Sequence, residues 1–149
     1  MRLAEYTDYT LRVLMYCATR PDQRITIGEL AEHHQVSKNH LMKVVNDLSR
    51  QGLIETTRGR GGGLRLIKDP ASIRIGDVVR AAETDFRLVE CFDGSINTCA
   101  LTPSCRLKRL LEGALQAYFD ELDGATLADI ATPVSLTRPM TRLVVSPFT

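Results

Sequence analysis

No stretch of this chain is apolar for anything near the roughly 18 consecutive residues needed to cross a bilayer, and its start lacks the apolar segment of a signal peptide. A soluble protein working in the cytoplasm is expected. Paired CxxC knuckles are missing, which argues against a structural zinc ribbon. The one glycine-rich stretch has no Gly-Lys-Ser/Thr ending and leads into a strand, not a helix, so it is a poor P-loop. There is no nucleophile elbow and no convincing Ser/His/Asp or Cys/His set. Histidine is scarce, and His33, His34 and His40 fit a helix-turn-helix surface better than an active site. An enzyme is not expected. Cysteine is also scarce, at four in 149 residues. A disulfide framework is not expected in a reducing cytoplasm, so any clustering of thiols leans towards metal or redox chemistry.

What the chain does have is an uneven charge distribution. Residues 1–68 carry eleven Lys/Arg against seven Asp/Glu, whereas residues 69–149 carry eight against eleven. The net +1 therefore hides a basic first half. The surplus is modest, but a homodimer would double it across one nucleic-acid-facing surface. The length suits one domain with a core, or a small domain plus an oligomerisation element.

Apolar residues Leu11, Leu14, Met15 and Ala18 predict a helix over residues 8–20, with Thr7 as its N-cap. Thr26-Ile-Gly-Glu29 reads as a capping box opening a second helix, Ile27 to His34, with Ile27, Leu30 and Ala31 facing inward. Ser37 caps a third helix running to about Gln51 and closed by Gly52. In that helix Leu41, Val44, Val45 and Leu48 form the buried stripe, and Lys38, Asn39, His40, Lys43, Asn46 and Arg50 form the opposite face. A polar face is often merely solvated. Donors concentrated near the helix start also suit a recognition helix: Asn pairs with adenine, and Lys or His donates to guanine or phosphate. Leu53–Thr57 and Leu64–Ile67 read as two strands joined by Arg58-Gly-Arg-Gly-Gly-Gly63. Arginines on such a tip can reach phosphates or a narrow minor groove. Together these features predict a mainly α fold with a small β-hairpin wing: a winged helix-turn-helix over residues 1–68, with Lys38, Asn39, His40, Lys43, Arg58 and Arg60 as candidate contacts to a double-stranded DNA operator.

Residues 69–104 read as a linker helix, Ile75–Glu83, followed by a loop with three cysteines, Cys91-FDGSINT-Cys99-ALTPS-Cys105. A buried apolar role is common for one cysteine. Three in one loop rich in polar residues suggest a shared centre instead. An iron-sulfur cluster accepts this wide spacing but normally takes four ligands, which leaves one ligand to come from elsewhere or one iron open. Zinc binding or thiol oxidation is the competing reading. Cys17, among Leu14, Met15 and Ala18, reads as core. Ser104 is the expected N-cap of the next helix, placing Cys105 in a first turn whose dipole favours an anionic ligand. That helix carries Leu107, Leu110, Leu111, Ala114, Leu115, Tyr118, Phe119 and Leu122 in helical register. So broad an apolar face predicts a homodimer built on it, with 126–130 as a docking turn completing the 105–130 region. The tail, 131–149, holds Pro133, Pro139 and Pro147, shows no periodicity and is expected to pack loosely.

Several of these motifs, in this order, resemble the Rrf-type winged-helix regulators over residues 1 to about 130. They are Tyr6-Thr-Asp-Tyr9, Leu11-Arg-Val-Leu14, Ser37-Lys-Asn-His-Leu-Met-Lys43, Arg58 to Leu66, Ile75-Gly-Asp-Val-Val79, the three cysteines with Leu101 to Lys108, and Thr126-Leu-Ala-Asp-Ile130. The resemblance implies a dimeric DNA-binding repressor carrying an iron-sulfur cluster, most simply 4Fe-4S, on Cys91, Cys99 and Cys105. In the family's nitric-oxide-sensing branch the fourth ligand is an aspartate from the other subunit's first helix, matched here by Asp8. Arg12, one turn on, would support that carboxylate. On the residues alone, Asp8 is simply an acid well placed at a helix N-terminus. Lys108 stands where the branch that regulates cluster biogenesis is expected to have histidine. An iron-responsive branch shares the cysteine spacing and the Val89-Glu-Cys-Phe92 approach. Asp8 and Asn39–Lys43 lean towards nitric oxide as the signal.

Overall fold

The computed structural model describes residues 2–131, so the expectation for the proline-containing tail lies outside the described residues. Six helices and one hairpin follow in order: α1 (Glu5–Ala18), α2 (Ile27–His34), α3 (Lys38–Arg50), β1 (Ile54–Thr57), β2 (Gly63–Leu66), α4 (Ile75–Ala82), α5 (Arg106–Asp123) and α6 (Leu127–Ala131). Short 3-10 turns lie at Pro70–Ser72, Glu90–Phe92 and Thr102–Ser104.

The helix-turn-helix forms where local chemistry predicts it. Thr26 accepts from the Glu29 amide and Ser37 from the His40 amide, satisfying donors that helix starts leave free. The capping box is only half formed, because the Glu29 carboxylate is taken by the Tyr16 hydroxyl at 2.7 Å. Gln35, left-handed at φ 55°, makes the turn between α2 and α3. Leu41, Val44, Val45 and Leu48 are all buried, together with Leu14, Leu30 and Cys17.

Two predicted caps are corrected. α1 starts at Glu5, and Thr7 lies inside it, fully buried, its hydroxyl without a hydrogen-bond partner among the described residues. The cap position belongs to Ala4, whose amide is satisfied instead by Glu83, 2.6 Å away and distant in sequence. Cys105, not Ser104, caps α5, since Ser104 is drawn into the preceding 3-10 turn.

β1 and β2 pair antiparallel, with Ile54 opposite Leu66 and Thr57 opposite Gly63. A third backbone segment joins them, as Ile25 and Leu64 exchange amide bonds of 2.9 and 2.8 Å. Gly63 is needed there, because a Cβ would sit 2.7 Å from the Ile25 carbonyl oxygen.

One apolar core runs through both halves of the chain. Val78 and Val79 of α4 and the fully buried Leu127 of α6 share it with α1, α3 and the hairpin. α6 lies against α1, and backbone bonds from Leu127 to Ile73 (2.8 Å) and from Ile75 to Ala125 (3.0 Å) hold it. The bidentate Arg80–Asp123 ion pair, at 2.6 and 2.7 Å, joins α4 to α5, and the Arg80 guanidinium also lies over the Phe119 ring. The rest of α5 is largely free. Leu107 is 59% and Leu110 69% exposed, whereas Phe119 and Leu122 reach the core.

Candidate DNA-binding face and cysteine loop

The outer surface of α3 divides into two strips. One strip leans on α1: Tyr6 donates to Asp47 in a short contact, and the His40 and Tyr9 rings stack at 23° with centroids 6.3 Å apart. Burial, followed by the Asp47 bond, pushes the Tyr6 phenol up to about 12, while that same bond holds Asp47 below its usual range. The other strip, Lys38, Asn39, Met42, Lys43 and Asn46, is exposed.

Arginines elsewhere in the described chain are mostly consumed by carboxylates. Arg24 and Arg65 both bind Glu55 beneath the wing, Arg12 binds Asp8, and Arg80 binds Asp123. Arg58 and Arg60 at the wing tip, and Lys38 and Lys43 on α3, form no ion pair with a carboxylate among the described residues, although the Lys43 charge helps hold Asp47 low. All four are exposed. Unpaired cations on a helix and an adjoining loop provide the free charge that phosphates need.

The cysteine loop is tied down by short-range polar contacts. Asp93 accepts from the Ser95 amide and hydroxyl, and Asn97 accepts from the Cys99 amide and donates to Thr102. Arg87 spans Asp85 and Asp93. Those bonds hold both carboxyls below the usual range: Asp85 falls to about 2 through Arg87, and Asp93 falls through Ser95 first and Arg87 next. The Asp-Gly-Ser sequence could have suggested the Asp93 turn. The Arg87 bridge is local, to Asp85 and Asp93, but its geometry depends on an irregular loop that residue pattern does not specify, and the Glu83 tether to Ala4 leaves no sequence signal because it joins residues far apart in the chain.

Cys91, Cys99 and Cys105 are free and half-buried. The Cys105 sulfur accepts from the Lys108 amide at 3.4 Å, at the first turn of α5. Among the described residues no three His, Cys, Asp or Glu side chains are gathered closely enough to hold a metal ion. The chain places the three thiols in one loop without drawing them together. Cys17 is the opposite case, sealed in the apolar core, where burial pushes its thiol up to about 12.

Asp8 faces outward on α1, where Arg12 grips both carboxylate oxygens at 3.1 and 2.6 Å. A carboxylate holding a bidentate arginine retains lone pairs for a further partner. The donor set of three accessible thiols plus one oriented carboxylate fits an iron-sulfur cluster with one non-thiolate ligand.

A family model described as Rrf2, iron-dependent transcriptional regulator, matches residues 3–133. The HTH-type transcriptional regulator NsrR of Bacillus licheniformis is 52% identical over 131 residues, covering 87% of this chain and 92% of that protein. The regulator of the same name from Bacillus subtilis is also 52% identical over 131 residues, covering 87% and 90%. Among solved structures, the oxidized form of CymR from Staphylococcus aureus matches with a TM-score of 0.71 at 27% identity, covering 90% of this chain and 98% of that one.

Proposed function

Since the chain belongs to the Rrf2 family of transcriptional regulators, we propose that it is a homodimeric, cluster-dependent repressor whose grip on operator DNA is released by nitric oxide. The carrying observation is the division of the four thiols, three accessible in one loop and one sealed in the core. Cys91, Cys99 and Cys105 would hold a 4Fe-4S cluster, with Asp8 of a second copy as the fourth ligand. Bound there, the cluster supplies an iron less shielded by thiolate and open to a diatomic ligand.

The chain's own residues explain how such a ligand set reaches DNA. α1 carries Asp8 and also holds α3 through Tyr6–Asp47 and Tyr9–His40. Tying Asp8 to the opposite subunit's cysteine loop would restrict α1 in both subunits. It would thereby favour one spacing of the two α3 helices, and releasing Asp8 would shift the population. Arg12 keeps the carboxylate oriented for that contact. The exposed Leu107 and Leu110 of α5 supply an apolar face for the second copy.

Anaerobic titration of the purified protein with nitric oxide, followed by visible absorbance and operator gel shift, tests this reading. An iron-sulfur band that bleaches stoichiometrically while operator is released is the expected result. A band indifferent to nitric oxide would replace the signal with iron, in keeping with the family's description. A colourless protein after anaerobic reconstitution would leave a zinc or thiol regulator. Replacing Cys91, Cys99 or Cys105 by Ser should abolish iron binding, and Cys17→Ala should not. Asp8→Ala should keep a cluster with an altered response, and wild-type behaviour in that variant would remove Asp8 as a ligand.

A further inference from the structure

α3 has an unexpected residue on its free strip. Met42 is 47% exposed, the one large apolar side chain of α2 and α3 left open to solvent among the described residues. Lys38 precedes it by four residues, Asn39 by three, and Asn46 follows by four, so on a helix these polar side chains surround it. The buried stripe of α3 is already complete without it, and the strip facing α1 is occupied by His40 and Asp47. Met42 therefore packs on neither neighbour, and it sits amid the groups able to reach base edges.

In the major groove the one apolar feature of a base edge is the thymine 5-methyl group, and apolar side-chain groups are its usual partners. A thioether chain is unbranched and polarisable, so it adapts to that contact without a fixed rotamer. We infer that Met42 is a sequence-reading residue that contacts a thymine 5-methyl group in each operator half-site. This rests on the reading of α3 as the recognition helix. Asn39 and Lys43 would supply hydrogen bonds and charge on either side, and Met42 adds discrimination that none of the polar groups provides.

Anaerobically prepared full-length protein would be used to enrich a duplex from a random-sequence pool. Each thymine of the enriched half-site would then be exchanged singly for deoxyuridine, which removes only the methyl group. For one thymine per half-site, binding should weaken by about fourfold, the transfer value of a single buried methyl. Met42→Ala and Met42→Gln alter both half-sites of a dimer, so they should bind the thymine duplex about sixteenfold more weakly, about fourfold for each half-site, and no longer distinguish deoxyuridine. Met42→Leu should keep the distinction. Melting temperatures of the variants should stay close to the wild type, since the side chain is half exposed. An enriched half-site with no methyl effect at any thymine, or with no thymine, would overturn the role of Met42 alone, as would undiminished discrimination by Met42→Ala. Failure to enrich any duplex would overturn the DNA reading and this inference with it.

Discussion

Cys17 and Cys105 show how one residue type acquires opposite chemistry from its surroundings. Cys105 ends a polar loop and its sulfur meets a free helix amide, whereas Cys17 is enclosed by core and its thiol lies near 12. In cluster-free protein, iodoacetamide at mildly alkaline pH should modify Cys91, Cys99 and Cys105 and spare Cys17 until the chain unfolds. Mass spectrometry of the labelled peptides reads this directly, and rapid labelling of Cys17 would contradict its placement. The role of Cys17 was legible because its sequence neighbours are apolar. The buried position of Thr7 was not, since the partner that starts α1 is Glu83, brought in by tertiary structure. Tyr6 offers a second test. Its folded pKa is raised from 10.0 to about 12, so the linked stability is fully present below pH 10 and is lost as pH climbs towards 12. Tyr6→Phe should cost about 0.5–1.5 kcal/mol at neutral pH through the missing hydrogen bond and flatten the decline in melting temperature over that alkaline window.

Among the elements, α4 and α5 meet at a closely fitted junction. Gly76 is buried in the first turn of α4, and a Cβ there would overlap the Asp123 carboxylate that Arg80 holds. Helix propensity alone favours Ala over Gly by about 1 kcal/mol. Overpacking typically costs about 1–3 kcal/mol, so the steric term should win and Gly76→Ala should lower the melting temperature. A rise would mean that Asp123 can swing aside freely. Helices α2 and α3 were readable to the residue at their starts, because Thr26 and Ser37 are local signals. The α4–α5 junction was not, because Arg80, Asp123 and Phe119 are far apart in sequence and meet only after folding. For the cysteine loop, spacing identified the three thiols, while their exposure and the contacts that tie the loop down come only from the structure.

For the whole molecule, the arrangement of charge matters more than the net value of +1. Arg58 and Arg60 at the wing tip form no ion pair among the described residues, while Arg24 and Arg65 below them are held by Glu55. Replacing both tip arginines by Ala should weaken DNA binding across sequences. It should also reduce the slope of log K against log salt by about 0.9 for each phosphate no longer neutralised, or about 4 for a dimer. An unchanged slope would place the wing off the backbone. The core has a different kind of consequence. Leu127, the last fully buried core residue among the described residues, is wedged against α1 from the far end of the described chain. Domains tend to settle during synthesis as soon as their last core residue clears the ribosome, and here that residue comes late. Because the first half shares its core with Leu127, the DNA-binding half is completed only after the cysteine loop and α5 have been made. A frameshift or premature stop ahead of Leu127 should therefore yield a destabilised chain open to proteolysis, not a free-standing DNA-binding fragment.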